Sequence, residues 1–273
     1  MIMNFKAAVV QVTSTARVSN NLTKCRQLVE GAAKAGAKVV GLPENFSFMG
    51  SESEKQNLLG QIEEETFSFL KETAMDLGIY LLGGGFPTKA PTGKVFNTAV
   101  IVNPKGEEVF RYHKAHLFDA VVGDGFPYKE SNHTEAGEKV PEVIHTEYGN
   151  ISSAICYDLR FPELFRALSK QGVDLCFLPA AFTVPTGEAH WHVLLRARAI
   201  ENLMYVLAPG QTGTHDPHGK RKTFGHSLII SPWGEILAEL DFEEGFAIAE
   251  IEMDRLSEIR STLPSLHHRR FGI

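Results

Sequence analysis

Cysteine is scarce in this chain of 273 residues: Cys25, Cys156 and Cys176 are the whole complement, an odd number without a Cys-x-x-Cys pair. That excludes a disulfide framework, and free thiols in a reducing cytoplasm are expected. Long apolar runs are missing as well. The longest are strand-sized, far short of the ~20 residues that span a bilayer, so no membrane partner is expected. The opening residues MIMNFKAAVVQV lack the basic start and apolar core of a signal peptide. Basic excess is lacking too. The formal net charge is −6, which gives no footing for nucleic acid. Gly83-Gly-Gly85 is not followed by Gly-Lys-Ser/Thr, and no Gly-x-Gly-x-x-Gly fits, so no phosphate loop is present.

What remains is 43% hydrophobic and 22% charged, enough for a core without a disulfide or metal staple. A single domain over residues 1–273 is expected, because α/β chains of this size often fold as one. Strand-like and helix-like segments alternate. Residues 5–12, 38–42, 79–82, 96–102, 108–112, 151–156, 175–178 and 204–208 read as strands. Residues 20–35, 64–77, 162–171 and 188–202 carry apolar positions at helical spacing. The last third is mainly extended, with a helix near 254–261. Residues 117–141 form a long irregular stretch, which in a compact domain is functional or mobile. Interleaved strands and helices predict an α/β layered fold, and the hairpins predict mixed sheets.

Three residues in this pattern could carry chemistry. Cys156 ends a strand just before a helix, at the carboxyl edge where open α/β sheets gather their sites. A helix amino terminus nearby would lower the thiol pKa and favour thiolate. The bland reading is a small core residue. Glu44 directly follows the buried run Val39-Val-Gly-Leu-Pro43, a placement that suits a general base or a solvated loop carboxylate. Lys114 stands just past a hairpin strand, where a surface lysine is the ordinary occupant. Together they make a workable hydrolytic set. The carboxylate takes the thiol proton, thiolate attacks an amide carbon, the ammonium and backbone N–H groups stabilise the oxyanion, and ammonia leaves.

Leu42-Pro-Glu44, Tyr112-His-Lys-Ala-His-Leu-Phe-Asp119 and Cys156-Tyr-Asp-Leu-Arg-Phe-Pro-Glu163 resemble, in order, the three signature blocks of the nitrilase (carbon–nitrogen hydrolase) superfamily. Phe96-Asn-Thr-Ala99, Ala189-His-Trp191, Phe224-Gly-His-Ser227 and Ser231-Pro-Trp-Gly234 extend the resemblance along the chain. It implies an α-β-β-α four-layer sandwich, a homodimer, no metal and no organic cofactor. By the match Glu44 is the base, Lys114 the oxyanion partner and Cys156 the nucleophile. The Tyr157 N–H would complete the oxyanion hole, and Glu130 matches a supporting glutamate. Arg160 either holds a substrate carboxylate or pairs with Glu163 or Asp158. The blocks look like the amidase branch. Gln211 to His215, Lys222 to Ser227 and the tail Leu266-His-His-Arg-Arg270 look most like amidases of deaminated glutathione, with ω-amidases of α-ketoglutaramate close by.

Other readings compete. His190 could serve Cys156 as a protease-like base. His215-x-x-His218 has metal-ligand spacing, although histidines on such a turn are commonly hydrogen-bonded. An inactive scaffold that binds a partner protein is the non-enzymatic alternative. The intact Glu44, Lys114 and Cys156 argue against it.

Overall fold

The first strand shows how the layers arise. In β1 (Phe5–Gln11) successive side chains point to opposite faces. Phe5, Ala7 and Val9 enter one apolar cluster, while Ala8 and Val10 enter another. A strand apolar on both faces needs cover on both, which forces a multilayer arrangement. The computed structural model describes residues 3–122, 127–216, 219 and 221–271.

The first sheet is built from β1, β2 (Ala37–Gly41), β3 (Tyr80–Lys89), β4 (Val95–Val102) and β5 (Glu108–His113). After β5, β6 (Asp119–Val121) and β7 (Pro127–Lys129) pair as a separate hairpin, and β8 (Thr134–Glu135) joins β4. The second sheet takes β9 (Ile144–Thr146), β10 (Gly149–Ser153), β11 (Leu175–Phe177) and β12 (Tyr205–Ala208). A hairpin of β13 (Thr212–Thr214) and β14 (Lys222–Phe224) precedes β15 (Leu228–Ile230) and β16 (Ile236–Glu239) of that sheet. Finally β17 (Gly245–Ile251) returns to the first. The strand orders are β17-β1-β2-β3-β4-β5 and β16-β15-β12-β11-β10-β9. Each sheet has a parallel centre and antiparallel margins, so both are mixed.

Helices α1 (Val18–Lys34) and α2 (Glu52–Leu77) cover the first sheet, packing Leu22, Val29, Ile62 and Leu70 against Ala8, Val10 and Val40. Helices α3 (Pro162–Lys170) and α4 (Val184–Asn202) bring Phe165, Leu168, Leu195 and Ala199 to the second. The sheets face each other where β1 meets β12 and β15. The fold is the expected α-β-β-α sandwich. Each fully buried Val, Leu or Phe contributes roughly 1.5–3 kcal/mol.

Two expectations need correction. Helix α2 begins at Glu52, not near residue 64, because Ser51 and Glu54 form a capping box. The Ser51 hydroxyl accepts from the Glu54 N–H at 3.3 Å, and the Glu54 carboxylate accepts from the Ser51 N–H at 2.9 Å. The stretch 117–141 is not irregular throughout, since it carries β6, β7, β8 and a 3-10 turn, Glu130–Asn132. Residues 123–126 within it lie outside the described set.

Candidate active site

Cys156 stands where the chain leaves β10 and opens the 3-10 turn Cys156–Arg160. Its φ is 48°, the left-handed region that an L side chain adopts at a cost. Two contacts hold it there. The Cys156 N–H donates to the Pro179 carbonyl at 2.9 Å, and the Ile155 N–H donates to the Asp158 carboxylate at 2.9 Å. Asp158 is fully buried and also accepts from the Tyr112 hydroxyl at 2.9 Å and the His116 N–H at 3.1 Å. One carboxylate therefore fastens the Cys156 turn to the end of the opposite sheet. Tyr157 follows in the first turn, among the N–H groups that a helix leaves without an internal acceptor.

Cys156 as a residue is 8% exposed. Burial first and the Glu44 carboxylate second push its pKa well above the usual thiol value, against the pull of Lys114 and the Ala181 N–H. The expected thiolate is thus corrected. Helix α3 starts only at Pro162, and its dipole falls off within a turn, so burial dominates. The resting group is a thiol that needs a base.

Glu44 comes off the end of β2 and is 3% exposed. Its Oε1 accepts from Lys114 Nζ at 3.0 Å and Asn97 Nδ2 at 2.8 Å, and its Oε2 from the Ala181 N–H at 3.0 Å. Lys114 continues the β4–β5 ladder through its N–H to the Asn97 carbonyl at 2.9 Å, which turns its side chain inward. Nζ also donates to Glu130 Oε2 at 2.9 Å and Oε1 at 3.2 Å. Burial opposes the ammonium charge, but Glu130 and Glu44 outweigh it and hold the pKa well above the ordinary lysine value. The Glu130 carboxyl is correspondingly low. Burial would raise it, yet Lys114 and the Phe118 N–H, at 2.7 Å, prevail.

The structure therefore brings Glu44, Lys114, Glu130 and Cys156 together around a cleft of about 390 Å³. Arg160 stands on the other flank of Cys156. Its guanidinium lies 5.7 Å from the Tyr157 ring and 5.5 Å from the Phe182 ring, with Nη1 3.3 Å from His190 Nδ1. It pairs with neither Glu163 nor Asp158, so that alternative is overturned. Asp158 is already committed to Tyr112, His116 and Ile155.

The competing histidines are accounted for. His190 binds Arg160, and the carboxylate beside the thiol is that of Glu44. His215 uses both ring nitrogens, on the Ser14 carbonyl at 2.9 Å and the Thr223 hydroxyl at 2.7 Å. Burial lowers its pKa to about 4, so it is neutral and structural. His218 lies outside the described residues. Trp191 packs on Phe182 at 4.8 Å between ring centres, shaping the Arg160 flank.

Sequence reasoning missed Asn97, whose Nδ2 donates to Glu44 and, at 3.4 Å, to Glu130. The available signal was an amide side chain in a mostly apolar strand, two before the core residue Ala99. It also missed why glycine recurs at 83–85. A Cβ on Gly84 would stand 2.3 Å from the Leu42 carbonyl oxygen, and one on Gly85 2.9 Å from Glu44 Cγ.

Four layers with a buried thiol, an ammonium and two carboxylates gathered where strand ends of both sheets meet define an α/β-sandwich hydrolase. The chain belongs to the carbon-nitrogen hydrolase family, which matches residues 6–261, and it acts on C–N amide bonds. A deaminated glutathione amidase of Synechocystis is 49% identical over 98% of this chain and 98% of its own. The omega-amidase NIT2 of Xenopus tropicalis is 36% identical over 98% of this chain and 96% of its own. The crystal structure of the C. elegans NitFhit protein superposes with a TM-score of 0.92 at 36% identity, covering 98% of this chain. This chain spans 65% of that longer protein.

Proposed function

We propose that this amidase cleaves the amide of an α-keto acid through a thioester on Cys156, with deaminated glutathione as substrate. The observation that carries the mechanism is the shared placement of Glu44 and Lys114. Each touches the other at 3.0 Å and each acts electrostatically on the Cys156 thiol. Glu44 takes the thiol proton as sulfur bonds to the amide carbon. The new oxyanion is met by the Lys114 ammonium and the Tyr157 N–H. Glu44 then returns the proton to the departing nitrogen, leaving a thioester. Water enters, gives a proton to the same carboxylate, and releases the acid and the free thiol. Glu130 holds Lys114 in place. Arg160, a cation without an acidic partner among the described residues, binds a substrate carboxylate.

The substrate reading rests on the Synechocystis relative, named for deaminated glutathione, at 49% identity. Cleavage of that substrate expels the amine of a Cys-Gly dipeptide, so its leaving group needs an open-ended pocket. Ammonia leaves when the substrate is a primary amide. The second reading, ω-amidase action on α-ketoglutaramate, is supported by the NIT2 relative and shares the same acyl group. Both release the same keto diacid. Measuring that product from each substrate on one preparation decides between them. A higher kcat/KM for α-ketoglutaramate would overturn the first.

The reading also includes a single domain over residues 1–273, a homodimer and a cytoplasmic site. The family match over 6–261 supports the first. The exposed apolar side chains Val193, Ile200 and Trp233 support the second, and three free thiols the third.

A further inference from the structure

We propose that His192, His226 and Glu239 form a binding site for one divalent ion of the zinc class. Three separate elements supply the ligands: His192 from α4, His226 from the turn before β15, and Glu239 from the end of β16. Glu239 Oε1 lies 2.7 Å from His192 Nε2 and 2.8 Å from His226 Nδ1, and the three ligand atoms are within 4.8 Å of one another. Two imidazole nitrogens and a carboxylate oxygen are a donor set that suits zinc, and magnesium or calcium poorly. An ion at ~2.0–2.2 Å from each ligand replaces the bridging protons and leaves a fourth position for water. Seating the ion would lengthen both contacts to Glu239 and gather the three ligand atoms around one centre.

The backbone is already fixed around this point. His226 has a φ of 55°, its N–H donates to the Asp241 carbonyl at 3.0 Å, and its carbonyl accepts the Trp191 indole N–H at 2.8 Å. Its ring stacks on Phe224 at 4.4 Å and meets the edge of Phe242 at 4.8 Å. Little ordering is left for the ion to impose, which favours binding. Once bound, the ion would clamp α4 to the margin of the second sheet. His192 is only half-buried, so an ion can enter from solvent.

The test uses the whole chain after EDTA treatment and desalting, carrying Cys156→Ala so that the cleft thiol does not compete for metal. Zinc chloride is titrated in against a chromophoric chelator. One equivalent per chain should bind and raise Tm. His192→Ala and Glu239→Gln should each weaken binding by roughly tenfold or more and abolish the Tm rise. The proposal is overturned if the parent takes up no stoichiometric zinc, if both variants bind as well as the parent, or if magnesium serves equally. Should Glu239→Gln fail to fold, His192→Ala, at a partly exposed helix position, decides the matter.

Discussion

Lys114 Nζ lies 3.0 Å from Glu44 Oε1, and both side chains are almost wholly shielded from water. A buried ion pair costs desolvation twice, and its worth depends on keeping both partners. Lys114→Met would leave Glu44 and Glu130 facing each other without a cation. Turnover should fall by ~10²–10³-fold through lost oxyanion stabilisation, and stability by roughly 3–5 kcal/mol. Rate assays and denaturant titration read the two effects separately. Full activity in this variant would remove Lys114 from the mechanism.

Alkylation should single out one thiol. Cys25 and Cys176 are fully buried, and burial pushes each to about 12. Cys156 is also held protonated, but it borders the cleft and has a carboxylate beside it. Iodoacetamide should label Cys156 first, and Glu44→Gln should slow that labelling. Equal labelling rates with and without the carboxylate would deny Glu44 its role as base.

Arg160→Ala should lower kcat/KM by roughly 10- to 150-fold for a substrate with a carboxylate near the scissile amide, the cost of a lost charge-assisted contact. An uncharged amide should be cleaved by variant and parent at similar rates. Parallel losses on both substrates would instead mean that the guanidinium mainly braces Tyr157 and Phe182.

Asn97 uses both amide hydrogens on carboxylates, while its buried Oδ1 has no partner among the described residues. Asn97→Ala should cut kcat by roughly 10- to 150-fold with little change in KM, because Glu44 and Glu130 lose a shared donor. Gly85→Ala should act on the same group from the other side. Its φ is already +41°, and the added Cβ would stand 2.6 Å from Asn97 Oδ1. Unchanged kcat in both variants would show that the carboxylates need no such setting.

His215 gives the fold an acid sensitivity that can be isolated. Its folded pKa is about 4 against an ordinary 6.5, so between those values the unfolded chain takes up a proton that the folded chain refuses. Its contribution to stability is therefore present above pH 6.5 and is lost as pH falls toward 4. The size is on the order of 3 kcal/mol. Tm measured from pH 7 to 4 should fall more steeply in the parent than in His215→Gln. Parallel curves would contradict the assignment.

That Glu44, Lys114 and Cys156 would meet was legible from the three family blocks in order, because chain position alone left each of them a bland reading. Glu44 follows the buried run of β2, Cys156 comes just after β10, and Lys114 stands one residue past a hairpin strand. The thiol's protonation was not legible. It depends on desolvation by residues far away in sequence, which outweighs a local helix dipole. The two- and three-residue strands of 117–141 escaped because so few residues cannot display a period. The start of α2 was readable in Ser51-Glu-Ser-Glu54, but its first turns present mostly charged residues and few core positions.

Asp158 has a consequence for how the site comes apart. By accepting from Ile155 on one sheet's edge and from Tyr112 and His116 on the other's, it makes the Cys156 turn common property of both halves. A local opening that frees the Ile155 amide must also break the grip on the opposite sheet. That amide should therefore exchange with deuterium at the slow rate set by unfolding of the whole sandwich, not at the fast rate of a fraying loop. Loss of activity on heating should then coincide with loss of the fold, with no softened, inactive but folded species preceding it.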